Sequence, residues 1–299
     1  MSYTPRSIRF DTPDEIELHC LHWPAKSAIS GEGTVRGDTD SADFTPNTGS
    51  VDSEPSPIVL LHGGGANACW WLHLAERLAT THPVYALDFR GHGDSDHPSE
   101  REIGAFNLDL EAALAWLGRE DVHLIGHSMG AAVAFDHASR FEATRSLVLI
   151  DLARGSTKGS GRRARLALAL RRTYASHEEA VDRFCFLPES GHASEDLRRQ
   201  IAERSVRAET DGRFGYKFDP RWFGLPSRPR PDPADVQCPT LLIRGEESPL
   251  LSAEAATELV AALPAGRLAE VTGAGHHVLV DQPAQLADLF DDFLAEIPE

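Results

Sequence analysis

The 299-residue chain carries 46 acidic against 29 basic side chains, a formal net charge of −17, with 41% hydrophobic residues; that suits one large α/β domain with an insertion and argues against nucleic acid or an anionic membrane surface as partner. No run approaches 18 apolar residues, the start lacks the basic-then-apolar pattern of a signal peptide, and Cys20, Cys69, Cys185 and Cys238 lie far apart with no CxxC pair. A cytoplasmic protein with reduced thiols is expected, without a disulfide frame or zinc site. Lysine occurs only at Lys26, Lys158 and Lys217, and an acidic, lysine-poor surface suits either a halophilic cytoplasm or a GC-rich genome.

"SIRFDTPDEIELHCLHWP" alternates apolar and polar residues on both sides of "TPDE", which predicts a hairpin. Residues 25–57 are rich in Ser, Thr, Gly, Asp and Pro and poor in large apolar side chains, so a mobile surface insert is expected there. "IVLLHGGG" predicts a short buried strand running into glycines, and "HPVYALDFRGHGDSD" repeats the plan. "LDLEAALAWLG" predicts a helix with Leu108, Leu110, Ala113, Leu114 and Leu117 on one face. "VHLIGHSMG" is another strand and "AAVAFDHASRF" its helix; "RSLVLIDLA", "CPTLLIRGEES" and "RLAEVTGAGHH" bring three more strands, and "PAQLADLFDDFLAEI" an amphipathic helix. Buried strands alternating with helices imply a mostly parallel central sheet with helices on both faces. The alternation breaks between strands, where "RRARLALALRRTYASHEEAVDRFCFL" and "EDLRRQIAERSVRAET" both read as helical. The expected organisation is therefore a core formed by 1–152 and 238–299, with a helical cap at 153–237.

"GHSMG" puts Ser128 between Gly126 and Gly130 at a strand-to-helix junction. So sharp a turn needs small neighbours, and it lifts the hydroxyl out at the carboxyl edge of the sheet, beside the N–H groups that open the next helix. With "LLHGGGANACWW", "ALDFRGHGDSD", "LIGHSMGAA", "PTLLIRGEES" and "TGAGHHVLVDQP" in this order, the chain resembles the α/β-hydrolase fold family over nearly its whole length outside 25–57, most weakly in the cap.

A serine hydroxyl needs a base at pH 7. The resemblance assigns that role to His276, the first His of "GAGHH"; His277 is its neighbour in sequence, His127 stands beside Ser128, where an elbow disfavours contact with the serine, and His62 and His92 are structural in such loops. The base needs a carboxylate. Here the sequence departs from the family, because the usual acid position, three residues after the glycine of "LLIRG", is Ser248. The candidates are Asp151, at the end of "SLVLID" where family members with a relocated acid keep theirs, then Glu247, then Glu246. The oxyanion donors implied are the N–H groups of Met129, just after the nucleophile, and of Gly64. Gly65, Trp70 and Trp71 are candidates for the substrate pocket, with plain packing the competing reading of the tryptophans.

"HGGGAN" lacks the lysine and spacing of a P-loop and no GxGxxG is present, so no cofactor or metal is expected. Residues 153–235 hold 17 Lys and Arg against 12 Asp and Glu, which fits either a preference for acidic substrates or the solvated faces of amphipathic helices. The expected activity is that of a serine hydrolase cleaving a carboxylic ester of a small molecule through an acyl-enzyme. The alternatives are a C–C bond, lactone or amide hydrolase on the same triad, and a non-catalytic small-molecule receptor, whose motive is Ser248. Families with aspartate as nucleophile, such as haloalkane dehalogenases and epoxide hydrolases, are disfavoured by Ser128. Oligomeric state is not readable from these residues.

Overall fold

The computed structural model describes residues 4–26, 55–154, 170–223 and 228–298. Strands β1 (Arg6–Asp11) and β2 (Glu17–Trp23) form the antiparallel hairpin that the alternation predicts, with Ile8 opposite Cys20. Residues 27–54 of the insert expected at 25–57, and most of "RRARLALAL", lie outside the described residues. Then follow β3 (Ile58–Leu61), a 3-10 turn (Ala68–Trp71), α1 (Leu72–Leu78), β4 (Val84–Asp88), α2 (Ala105–Leu117), β5 (His123–His127), α3 (Met129–Arg140) and β6 (Ser146–Ile150).

The segment between β6 and the next strand of the main sheet holds β7 (Thr173–Tyr174), α4 (His177–Asp182), α5 (Glu195–Ser205), β8 (Val206–Ala208) and β9 (Phe214–Tyr216). The chain then returns through β10 (Thr240–Gly245), α6 (Ala253–Ala262), β11 (Gly266–Val271), α7 (Val278–Asp281) and α8 (Pro283–Ala295).

The eight-stranded sheet has the order β1-β2-β4-β3-β5-β6-β10-β11, antiparallel at β1–β2 and β2–β4 and parallel elsewhere. Side chains alternate across a strand, and the core divides accordingly. Ile58, Leu60, Ile125, Val148, Ile150 and Ile243 pack with α1 and α8 on one face. Val59, Leu61, Leu124, Leu147, Leu149 and Leu242 pack with α2, α3 and α6 on the other. Each of these buried branched side chains contributes about 1.5–3 kcal/mol through burial. Both faces are covered, which is why the strands read as unbroken apolar runs. No helix among the described residues is long and apolar enough to cross a membrane.

The inserted segment corrects the expectation of an all-helical region. "SVRAET" leaves the helix at Ser205, and β8, β9 and β7 form a small antiparallel sheet in the order β7-β9-β8. The reason is a turn signal within "ETDGR": Gly212 takes a φ of 78°, and Glu209 N–H donates to the Arg213 carbonyl at 2.8 Å, folding Val206–Ala208 back on Phe214–Tyr216. An Asp-Gly pair between short runs with β-branched or aromatic residues is a hairpin signature.

Candidate active site

Ser128 sits where β5 ends and α3 begins, at φ 53° and ψ −108°, a region that non-glycine residues enter only under the constraint of their surroundings. The constraint is visible in its neighbours. A Cβ on Gly126 would lie 2.4 Å from the Gly130 carbonyl oxygen, and one on Gly130 would lie 2.3 Å from that of Leu61. Neither backbone can yield, so only glycine lets strand, elbow and helix pack this closely. Ser128 N–H donates to the Ile150 carbonyl at 2.9 Å, tying the elbow to β6.

His276 lies in the loop after β11, with its Nε2 3.0 Å from Ser128 Oγ and its Nδ1 2.7 Å from Asp151 Oδ1. This network assigns the ring proton to Nδ1, donated to the carboxylate, and leaves Nε2 to accept from the serine hydroxyl. Asp151 follows β6 directly, fully buried, at a φ of 47°. Two further donors hold its carboxylate: Gly245 N–H to Oδ2 at 3.1 Å and Ser248 Oγ to Oδ1 at 2.6 Å. A buried charge needs such partners. Among the three acids left open by the sequence, only Asp151 meets the His276 ring.

The other two are corrected by their positions. Glu247 is half exposed and pairs with His192 Nε2 at 2.9 Å. Glu246 is exposed and accepts a long 3.4 Å bond from Gly273 N–H. Both point out of a turn whose inner side is occupied by Ser248.

Ser248 itself is the residue that sequence reasoning undervalued. Its hydroxyl donates to Asp151 and accepts from the N–H groups of Leu250 and Leu251, each at 3.2 Å. The position that normally supplies the acid here supplies a donor to an acid on the neighbouring strand. The available signal was the coincidence of a hydroxyl at that position with an acid ending the adjacent strand.

Three histidine rings crowd together, and only one has a carboxylate partner. His127 Nε2 donates to the His276 carbonyl at 3.0 Å, bracing the loop from below. Burial, then the neighbouring His276 and His277, hold its pKa well below the ordinary histidine value. Burial first and His276 second push His277 down to about 3, and its ring packs against Trp70 and Phe186. One nitrogen from each of His127, His276 and His277 falls within a 4.8 Å group able to hold a metal ion. Both nitrogens of His276 are already engaged, however, so ligation there would remove the ring from Ser128 or Asp151. His62 and His92 are loop braces: His62 bridges the Gly63 carbonyl (2.7 Å) and the Phe89 N–H (3.2 Å), and His92 Nδ1 lies 3.1 Å from the Arg90 carbonyl.

Ser128 and His276 open on a cavity of about 550 Å³, also lined by Gly64, Met129, Trp70 and Phe223, within the size range of small-molecule sites. Gly64 and Met129 approach across it: a Cβ on Gly64 would be 3.8 Å from Met129 Sδ. Met129 opens α3, so its N–H is among the first-turn donors without an intrahelical acceptor. Of the pocket candidates, Trp70 lines the cavity. Trp71 does not; it is fully buried among apolar side chains of α1 and α8. Gly65 borders instead a smaller adjoining cavity of about 80 Å³. All four cysteines are free thiols; burial pushes that of Cys69 up to about 12.

The sequence profile of the alpha/beta hydrolase family matches residues 58–289. Mouse (Mus musculus) sn-1-specific diacylglycerol lipase ABHD11 is 27% identical over 283 residues, 86% of this chain and 88% of that one. The N-formylmaleamate deformylase of Pseudomonas putida is 37% identical over 110 residues, 36% of this chain and 40% of its own length. Among solved structures, E-2-(acetamidomethylene)succinate hydrolase superposes with a TM-score of 0.75 at 23% identity, covering 97% of this chain and 99% of that one. With the profile spanning most of its length, the chain belongs to the α/β-hydrolase family of hydrolytic enzymes.

Proposed function

We propose that this hydrolase cleaves a carboxylic ester of a small molecule through an acyl-enzyme on Ser128. The observation that carries the reading is the unbroken relay from Ser128 Oγ to His276 Nε2 (3.0 Å) and from His276 Nδ1 to Asp151 Oδ1 (2.7 Å). As Oγ attacks the acyl carbon, its proton passes to Nε2, and the buried Asp151 carboxylate stabilises the imidazolium. The N–H groups of Gly64 and Met129 are the proposed donors to the oxyanion. Collapse breaks the bond to the leaving oxygen, which takes the proton from Nε2. Water then adds to the acyl carbon, gives its proton to Nε2, and releases the acid while Ser128 recovers its hydrogen. The proposed chemistry uses side chains and backbone alone. The segment 153–237 acts as the cap in this reading, supported by Leu187, Trp222 and Phe223, which line the cavity.

A fluorophosphonate probe tests the nucleophile. It should form an adduct that mass spectrometry locates on Ser128 and that is absent from Ser128→Ala; an unlabelled wild-type protein, or labelling that survives the substitution, removes the proposal.

A second reading, hydrolysis of a C–N bond on the same residues, is supported by the relative named as a deformylase. Matched butyryl p-nitrophenyl ester and p-nitroanilide substrates separate the two, because a site tuned to a poor amine leaving group turns over the anilide at a rate within about tenfold of the ester. The receptor reading loses its motive, since Asp151 supplies the carboxylate that Ser248 lacks.

A further inference from the structure

The cavity wall that begins three residues after Asp151 differs in charge from the rest of this acidic protein. Arg154, Arg228 and Arg230 line it together with the carboxylates of Glu102 and Asp136. Asp136 is accounted for: Asn107 Nδ2 donates to it at 2.9 Å, and Arg228 Nη1 lies 3.3 Å from it and 3.4 Å from Glu111. Arg228 is therefore a neutralised strut.

Arg230 is different. Its guanidinium donates to the Ala153 carbonyl at 3.1 Å, which sets it beside Arg154 and leaves its charge without a carboxylate partner among the described residues. Arg154 is half-buried, and its backbone is pinned from both sides: its N–H donates to the Leu250 carbonyl at 2.9 Å and its own carbonyl accepts from Ser252 at 3.3 Å. No described carboxylate meets its side chain either. The stretch that follows, 155–169, contains Lys158, Arg162, Arg163 and Arg165 and no acid, so the neighbouring sequence supplies no counter-ion. Glu102, the one lining carboxylate outside the Arg228 pairings, is exposed to solvent.

Three residues of chain span at most about 11 Å, so the Arg154 backbone lies within that distance of Asp151, and the residue lines the same cavity as Ser128 and His276. Arg154 is half-buried and Arg230 exposed at the rim, and two cationic forks lining one cavity, in a chain of net charge −17, are suited to a planar anion. Guanidinium groups bind carboxylates with directional, charge-assisted hydrogen bonds.

We propose that the substrate carries a carboxylate in addition to the bond being cleaved, held by Arg154 and Arg230. The inference rests on the hydrolase reading above and adds the substrate class. A neutral ester fills the apolar part of the cavity and leaves both guanidinium groups to water; an anionic one pairs them and is oriented along the wall from Arg154 towards Ser128.

The test compares two matched pairs of esters at low ionic strength. One pair places the charge on the acyl part (mono-p-nitrophenyl glutarate against p-nitrophenyl pentanoate). The other places it on the alcohol part (3-carboxy-4-nitrophenyl butyrate against p-nitrophenyl butyrate). In one pair, the anionic member should have a kcat/KM at least about tenfold above the neutral one, mainly through KM, and the preference should shrink as salt screens the charges. Arg154→Gln and Arg230→Gln should each cut that ratio several-fold, Arg154→Lys should retain part of it, and Arg154→Glu should reverse it.

Titration calorimetry reads the same contact without turnover: glutarate should bind about tenfold more tightly than pentanoate, with the difference lost in Arg154→Gln. No preference in either pair, or a preference unchanged in both glutamine variants, overturns the inference while phosphonate labelling of Ser128 leaves the hydrolase reading standing. An unlabelled Ser128 with no ester turnover removes the hydrolase reading, and the calorimetric comparison then decides the anion site alone.

Discussion

The carboxyl ends of β6 and β10 are neighbours on parallel strands of one sheet, and both carry acids, yet they put them to opposite uses. After β6, Asp151 is fully buried, bent into a left-handed φ, and held by Gly245, Ser248 and His276. After β10, Glu246 and Glu247 are exposed, and the latter pairs with a surface histidine. The difference teaches that nearness to a family position does not make a carboxylate part of a relay. Enclosure does: an acid that orients an imidazole must be fixed by donors and shielded from water, which would otherwise weaken the pairing.

The comparison breaks most sharply at Asp151. Replacing it with Asn should lower kcat by about 10⁴ through loss of the correct tautomer and of imidazolium stabilisation, measured with any ester the wild type turns over. A wild-type rate in that variant would transfer the role to the β10 side. Adding Ser248→Asp to Asp151→Asn sharpens the contrast from the other direction. A carboxylate restored beside His276 should regain about one to two powers of ten over the single change, read as kcat under the same conditions.

Removing only the support is milder. Ser248→Ala strips a donor from a buried carboxylate and should reduce kcat about tenfold and stability by about 1–3 kcal/mol, seen in urea unfolding.

Acid titration reads the histidines that burial keeps neutral. Burial pushes His22, His123 and His277 down to about 3, and His137 down to about 4. Between those values and the ordinary histidine pKa of about 6.5 the unfolded chain binds protons that the folded one refuses. Stability is therefore full above about pH 6.5 and falls as pH drops towards the folded values, by up to about 1.4 kcal/mol per pH unit for each such ring. Urea midpoints measured from pH 7.5 down to 4.5 should trace this loss, and His137→Gln, which removes one such buried ring, should flatten it in part. The smallest effects belong to the exposed side: Glu246→Gln and Glu247→Gln should each change kcat by less than about twofold.

Much of this was legible in the residues. Apolar runs such as Val59–Leu61 and Leu147–Ile150 announced strands covered on both faces, and glycines flanking Ser128 announced an elbow whose close contacts the backbone then required. His276 followed from its place in a glycine-bearing loop after the last strand. What sequence left open was decided by direction in space. Asp151, Glu246 and Glu247 are chemically alike, and only the packing of β6 against β10 turns one inward. Trp70 and Trp71 are adjacent and identical, but a 3-10 turn sends one to the cavity and the other to the core. The β8–β9 hairpin escaped because Glu195–Ser205 is a strong amphipathic helix whose pattern runs on past Ser205, overshadowing the Asp-Gly turn that ends it.

Rooting the acid in β6 has a consequence for the turn at 246–247. The carboxylates of that turn are relieved of any duty to present a charge at a fixed point, while its backbone keeps Ser248 against the sheet and holds the His276 loop, Glu246 N–H donating to the Val271 carbonyl at 3.0 Å and Glu247 N–H to that of Ala274 at 2.9 Å. Leu250, two residues further on, already borders the cavity. Exchanged side chains at 246 and 247 can thus redraw the surface of the bend, whereas added residues would pull on the His276 loop, and the hydrogen bonds joining Ser128, His276 and Asp151 beneath it depend on the backbone alone being kept.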